Sequence, residues 1–116
     1  MSLSPAQQRE EIRCRILRMI DDNPGISQRE MASHLGVSLG KVNYILRALK
    51  DKGLLKAGNF LSSDNKKAYL YLLTPRGIAE KVEISRRFLD RKKREYALLK
   101  AELKRLEEEL NRDAVK

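Results

Sequence analysis

Residues 27–53 constrain the fold most, because they encode two short helices separated by a tight turn. Ser27 and Glu30 have the spacing of a capping box, in which side chains satisfy free backbone N–H groups at the start of a helix. Gly36 has the position of a left-handed C-cap that ends this helix. Ser38 has the position of an N-cap that starts the next one. The segment therefore predicts two helices joined by a turn of about three or four residues.

The second of these helices has two chemically different faces. Its inward face is predicted from apolar residues at helical spacing, Val42, Ile45, Leu46 and Leu49. Its outward face is polar and cationic and contains Leu39, Gly40, Lys41, Asn43, Tyr44 and Arg47. This arrangement matches the helix-turn-helix, whose second helix enters the major groove of DNA. An ordinary αα-corner is the alternative for this segment alone.

A further helix precedes the pair. Ser4 as N-cap and Pro5 at the first helical position predict its start. Its apolar stripe, at spacings of four, three and one, consists of Ile12, Ile16, Met19 and Ile20. Pro24 and Gly25 predict that it has ended before the pair begins. We expect this helix to pack behind the pair.

After Gly53 the apolar period changes to two, which predicts strands over residues 54–62 and 68–73. Two antiparallel strands directly after a helix-turn-helix correspond to a wing. The polar turn between them offers Asn65, Lys66 and Lys67 to a phosphate backbone. An ordinary solvated hairpin turn is the alternative when the strands are considered alone.

The last predicted element is a long helix that starts after Thr74, its N-cap, and runs to about residue 111. Residues on one seam are spaced alternately by four and three: Ile78, Val82, Ser85, Leu89, Lys92, Tyr96, Leu99, Leu103, Leu106 and Leu110. A 3.5-residue period predicts a coiled coil. We expect a homodimer held by Val82, Leu89, Tyr96, Leu99, Leu103, Leu106 and Leu110. The charges leave parallel and antiparallel pairing open, and the basic run 81–94 is either a solvated face or a DNA flank contact.

Composition favours a polyanionic partner. The net charge is +9, which suits nucleic acid or an anionic membrane surface. Charge alone is weak evidence, because many basic proteins bind neither. The chain has 116 residues, enough for one domain with an extension, and 5% aromatic residues, few for the stacking platforms of single-strand binders.

No catalytic or metal-binding constellation is present in the sequence. His34 is the single histidine and Cys14 the single cysteine, so neither a catalytic dyad nor a thiolate-rich zinc site is indicated. We therefore expect no enzyme activity, no cofactor and no metal. The chain lacks an 18-residue apolar run and a signal-peptide core, which predicts a soluble, cytoplasmic protein without a membrane partner.

The predicted fold is mainly α with a small β-hairpin. It consists of a winged helix-turn-helix over residues 4–76, followed by a long C-terminal coiled-coil helix for dimerisation over residues 77–112. Asn43 suits bidentate bonding to adenine, and Arg47 or Lys41 suits guanine, each contact contributing about 1–3 kcal/mol of discrimination. Ser38 and the helix N-terminus suit phosphate, and Gly40 permits close backbone approach.

Several segments resemble the MarR family of transcriptional regulators. They are Val37-Ser38, Leu49, Lys52-Gly53-Leu54-Leu55 and Leu72-Leu73-Thr74-Pro75-Arg76-Gly77. Residues 26–30, 38–44, 65–75 and 88–96 are similar to the small MarR-type subfamily associated with bacterial exopolysaccharide loci. The resemblance covers roughly residues 8–108.

The resemblance implies a homodimeric, sequence-specific binder of double-stranded DNA that regulates bacterial genes. It implies that the major groove is contacted by Ser38, Lys41, Asn43, Tyr44 and Arg47, and the backbone by Lys66 and Lys67. Typical MarR proteins are longer and carry a ligand pocket. This sequence shows no evident pocket, so the effector is left undetermined. The competing function is an RNA- or protein-binding winged-helix adaptor that docks through the coiled coil.

Overall fold

The predicted element order is confirmed: three helices, a hairpin and a long helix. The computed structural model describes residues 3–61 and 67–115, with side chains described outside 59–61 and 67–68. The elements are α1 (Pro5–Asp22), α2 (Gln28–Leu35), α3 (Leu39–Asp51), β1 (Leu55–Leu61), β2 (Lys67–Leu73) and α4 (Pro75–Val115). The chain forms two compact units, one up to Ser85 and one from Arg86 onward. The functional division at residues 76–77 stays a prediction.

The helix boundaries are set by side-chain caps. Ser4 Oγ accepts a hydrogen bond from Gln7 N at 3.1 Å, and Ser27 Oγ accepts one from Glu30 N at 3.0 Å. Both helices have the complete capping box. Gly36 has φ 66°, the left-handed conformation that lets the chain leave α2 after eight residues. The tight turn between α2 and α3 therefore follows from local sequence.

The core of the first unit lies where α1, α2, α3 and the base of the hairpin meet. The buried side chains are Cys14, Ile16, Leu17, Ile20, Ile26, Met31, Ala32, Val42, Leu46, Leu49, Leu54, Leu55, Tyr71 and Ile84. Ile84 joins this cluster from α4, so the first part of that helix belongs to the unit. Cys14 is a core residue, with its Sγ 3.6 Å from Ser85 Oγ.

The hairpin pairs antiparallel over seven residues of each strand. Leu55 lies opposite Leu73, and Leu61 opposite Lys67. The predicted strand ends at residues 54, 68 and 73 are therefore each correct to within one residue, and the predicted end at Ser62 lies outside the described residues. Lys67 belongs to β2 and not to the turn. Tyr71 N donates to Pro24 O at 2.9 Å, which ties the hairpin to the loop after α1.

A close backbone contact fixes the hairpin against the start of α4. Thr74 Oγ1 accepts from Gly77 N at 3.0 Å, as predicted for the N-cap, and donates to Gly53 O at 2.6 Å. Thr74 N donates to Leu54 O at 3.2 Å. A Cβ at Gly77 would overlap Leu54 O far inside van der Waals distance. Glycine is therefore required at position 77 by close approach.

The α4 helix is continuous for 41 residues. In its first part, Lys81 Nζ pairs with Asp21 Oδ2 on α1. In the unit from Arg86 onward, Lys92 Nζ lies 3.3 Å from Glu95 Oε2 and 5.2 Å from the Phe88 ring centroid. No helix in the described part of the chain is both long and apolar enough to cross a membrane.

Candidate nucleic-acid interface

The α3 helix turns three of its predicted contact residues directly outward. Val42, Leu46 and Leu49 are buried, which fixes the rotation of the helix about its axis. Gly40, Tyr44 and Arg47, spaced four and three apart, therefore share the opposite side, and all three are exposed. We call these three residues the outer stripe.

The outer stripe is accessible along its length. Tyr44 is 74% exposed, which leaves its ring and hydroxyl available to a partner. At Gly40 nothing lies within 4 Å of where a Cβ would be, so a partner can approach the α3 backbone closely. The stripe thus offers an aromatic hydroxyl, a bare backbone segment and a guanidinium on one face.

Ser38 caps α3, as predicted. Its Oγ accepts from Lys41 N at 3.1 Å, so its acceptor is used inside the helix while its O–H remains a donor. Leu39, the first residue of the helix, is 45% exposed. The residues at the start of α3 therefore combine one hydroxyl donor with the positive end of the helix dipole, a combination suited to a phosphate group.

Lys41 and Asn43 lie on opposite flanks of the outer stripe. Lys41 lines a groove of about 440 Å³ between α1 and α3, whereas Asn43 lines a cavity of about 150 Å³ between α3 and the hairpin. We call these the α1–α3 groove and the wing cavity. The predicted base-reading residues are thus spread across the helix surface, with Arg47 on the stripe between them.

Asn43 belongs to a chain of hydrogen bonds that links three elements. Asn43 Nδ2 donates to Gln28 Oε1 at 3.3 Å. Gln28 Nε2 donates to Tyr71 Oη at 3.1 Å. Asn43 is half-buried, and part of its amide is used inside the protein. We call this set the amide relay.

The wing cavity brings in three residues that the sequence reasoning missed. Lys50 follows Arg47 by three residues, and both line the cavity. The helical spacing could have identified Lys50, because positions three apart share a face. Tyr69 lines the cavity as well and stacks edge-on against Tyr71, with ring centroids 5.1 Å apart at 78°. Gln28 had no local signal, since its partners are 15 and 43 residues away.

Only part of the predicted wing contact can be placed. Asn65 and Lys66 lie outside the described residues, and Lys67 is placed by its backbone alone, opposite Leu61. Contact between these residues and a phosphate backbone stays a prediction.

The α1–α3 groove is a feature of the first unit that the sequence analysis did not predict. The groove is lined by Ala6, Arg9, Glu10, Ile12, Arg13, Lys41, Tyr44, Ile45, Ala48, Leu49 and Lys52. Within the described chain, Arg13 Nε is buried without a hydrogen-bond partner. The groove was not predictable because it is formed by side chains from two helices about 35 residues apart.

The seven predicted dimerisation residues are exposed in the single chain. Their exposed fractions lie between 42% and 68% for Val82, Leu89, Tyr96, Leu99, Leu103, Leu106 and Leu110. Six of them lie in the unit from Arg86 onward, and Val82 lies in the first unit. Because these apolar side chains lie in a row along the helix, they form one exposed apolar surface, whereas apolar residues scattered singly do not form such a surface.

Comparison with known families gives a match within the first unit. Residues 9–56 match the family described as winged helix-turn-helix DNA-binding. The chain carries a winged helix-turn-helix DNA-binding domain. The matched residues cover most of α1, all of α2 and α3 and the start of β1, and the match is to a DNA-binding family and not to an enzyme, in line with the sequence analysis.

Solved structures with a similar fold include transcriptional regulators. A PadR-like transcriptional regulator from Bacillus cereus is 20% identical with a TM-score of 0.64, over 75% of this chain and 89% of that chain. A variant of ZitR from Lactococcus lactis is 17% identical with a TM-score of 0.62, over 75% and 57%. The PcaV transcriptional regulator from Streptomyces coelicolor is 19% identical with a TM-score of 0.54, over 68% and 57%. At these identities the likeness shows the fold alone.

The chain spans about half the length of ZitR, between 49% and 57% in two structures. No curated protein matches the sequence.

Proposed function

We propose that the protein is a sequence-specific, double-stranded-DNA-binding transcriptional regulator that acts as a homodimer. The observation that carries the proposal is the outer stripe of Gly40, Tyr44 and Arg47, exposed on the second helix of a winged helix-turn-helix DNA-binding domain. In such domains this helix enters the major groove. The net charge of +9 favours association with a polyanion.

Each side chain has a role that follows from its donors and acceptors. Arg47, on the stripe, suits bidentate bonding to guanine O6 and N7. Asn43, at the edge beside the hairpin, suits adenine through its remaining amide groups. Ser38 and Lys41 suit phosphates, and Tyr44 suits a phosphate or a sugar.

The hairpin supplies contacts that do not depend on base sequence. Lys66 and Lys67 suit phosphate groups on the DNA backbone, and Asn65 suits a phosphate or sugar. Lys50, next to Arg47 in the wing cavity, adds a further cation between α3 and the hairpin. Contacts of this kind fix position on the duplex while base contacts specify sequence.

The homodimer is proposed from the seven exposed seam residues. In a single chain, this seam leaves apolar surface exposed to water. Burial of one leucine side chain in a dimer would contribute about 1.5–3 kcal/mol to the free energy of association. A second copy of the same helix is the occupant that the alternating spacing of four and three fits, because it places the seam of each helix against that of the other. Two recognition helices then suit half-sites about one helical turn apart in a palindromic operator.

The class of regulated genes is proposed from the resemblance to MarR-type regulators of bacterial exopolysaccharide loci. Support comes from the Ser38–Tyr44 segment, which forms the N-cap and first turns of α3, and from the Thr74–Gly77 segment, whose close contacts fix the hairpin. A cytoplasmic location in a bacterial cell follows from this function. The α1–α3 groove is not part of this proposal, and its effector, if any, is unassigned.

Selection of bound duplexes from a random-sequence DNA library tests the proposal. We expect enrichment of a palindromic or pseudo-palindromic site in which the half-site centres are about one helical turn apart. Asn43→Ala should relax the preference at one position in each half-site and leave binding to random DNA nearly unchanged. Enrichment of no sequence, or tighter binding to matched RNA duplexes than to DNA, would reject the proposal in favour of an RNA-binding adaptor.

A further inference from the structure

The amide relay joins the recognition helix to the wing through one residue, which also lines the wing cavity. Gln28, at the first position of α2, is half-buried and receives the Asn43 amide on one side while it donates to Tyr71 on the other. We propose that Gln28 is a positioning residue that orients the Asn43 amide for base readout. This inference rests on the proposed function.

The chemistry of a primary amide explains why one bond can set the orientation. Asn43 has two N–H donors on Nδ2 and one acceptor, Oδ1. The bond to Gln28 uses one N–H and leaves the other N–H together with Oδ1. An N–H beside an oxygen acceptor is the pair that adenine N7 and N6 require.

The same bond opposes rotation of the Asn43 amide by half a turn. In the rotated amide, Oδ1 would face Gln28 Oε1, and two acceptors without a proton between them repel each other. While Gln28 keeps its Nε2 on Tyr71 Oη, its Oε1 therefore favours one of the two amide orientations of Asn43 before DNA arrives. A preorganised side chain loses less conformational entropy on binding, so the selected orientation raises discrimination.

Gln28 is itself held in place from both ends. Its backbone follows Ser27, whose capping box fixes the start of α2. Its amide donates to Tyr71 Oη, and Tyr71 is 5% exposed, with its backbone N bonded to Pro24 O. The orientation of Asn43 thus depends on the hairpin through Tyr71, although Tyr71 lies too deep to touch a base.

The first test measures the free protein and needs no DNA. Gln28→Met keeps the length of the side chain and removes both hydrogen bonds. Tyr71→Phe removes only the hydroxyl. The matched control is Ser33→Ala, an exposed change on the same helix. In ¹⁵N-correlated spectra we expect the Asn43 side-chain N–H resonances to move in Gln28→Met, to move less in Tyr71→Phe and to stay in place in Ser33→Ala.

The second test measures base preference by selection from a random duplex library. At the position whose preference is lost in Asn43→Ala, Gln28→Met should lower the preference for adenine about tenfold, within the range that one bidentate contact supplies. Affinity for random duplexes should change by less than about twofold. In the Asn43→Ala background, Gln28→Met should have no further effect on base preference, because the residue acts through Asn43.

Two results would overturn the inference. One is an unchanged Asn43 side-chain spectrum in Gln28→Met. The other is a loss of affinity that is equal on selected and random duplexes and persists in the Asn43→Ala background, since a purely structural role gives that pattern. A protein whose Asn43 resonances move but that selects no duplex would instead reject the proposed function, and the readout role of Gln28 would be rejected with it.

Discussion

The unit up to Ser85 and the helical segment from Arg86 to Val115 use apolar residues at helical spacing with opposite outcomes. In α1, Ile16 and Leu17 are 0% exposed and belong to the buried core cluster. In the second segment, Leu99 and Leu103 are 54% and 51% exposed. Among the described residues 86–115, none is buried.

The comparison shows what an amphipathic pattern specifies. It determines which face of a helix gains free energy from leaving water, but it does not determine which surface covers that face. In the first unit, tight turns at Gly36 and Gly53 bring several elements together, so these elements bury one another's apolar faces. The second segment is one helix without a turn, so a surface that buries its apolar face can come only from outside that segment.

The largest expected effect is on the free energy of unfolding, which substitutions in the two regions should change by different amounts. Leu17→Ala should lower the free energy of unfolding by about 2–5 kcal/mol, because a fully buried side chain leaves a cavity. Leu98→Ala, at a half-exposed position off the seam, should cost less than about 0.5 kcal/mol. Urea denaturation followed by circular dichroism measures both free energies of unfolding. Equal losses in the two variants would contradict the difference in burial between the two regions.

An intermediate effect is expected on self-association. Leu98 and Leu99 are adjacent and are 56% and 54% exposed, but only Leu99 lies on the seam. Leu99→Glu should raise the dimer dissociation constant more than tenfold, since each chain loses about 1.5–3 kcal/mol of apolar burial and gains a charge at the seam. Leu98→Glu is the matched control and should leave sedimentation unchanged. Equal behaviour of the two variants would place any interface elsewhere.

The smallest effect is expected at the wing. Lys67→Ala should weaken binding to all duplex sequences alike and reduce the slope of log affinity against log salt by about one, because one phosphate contact is lost. Fluorescence anisotropy titrations at several salt concentrations measure the slope. A loss confined to the selected operator would contradict a backbone role for Lys67.

Local sequence was sufficient for the helix starts and for the turn between α2 and α3, whereas α4 continues to Val115, beyond its predicted end near residue 111. Capping boxes at Ser4 and Ser27, the left-handed Gly36 and the N-cap Thr74 act over three or four residues, so their signals can be read from neighbours along the chain. The change of period after Gly53 predicted the hairpin, and the predicted strand ends at residues 54, 68 and 73 are each correct to within one residue. Lys67 was placed in the turn because a run of polar residues gave no signal for where pairing begins.

The candidate site was predictable only as a set of exposed residues. Helical spacing separated Tyr44 and Arg47 from the core residues of α3. It did not show that Lys41 and Asn43 lie on opposite flanks, since that depends on what packs on each side. The role of Lys50 follows from spacing, whereas that of Gln28 does not.

The sequence by itself determined the order of elements, the turn between α2 and α3, and the apolar seam of α4, because caps, glycine conformations and periodicity act locally. Only the tertiary structure decided that Gly77 must lack a Cβ against Leu54, that α1 and α3 enclose a groove, and that Asn43 is held by Gln28 and Tyr71. Those contacts join residues far apart in the chain. A hydrogen bond or a steric limit between such residues leaves no periodic trace in the sequence.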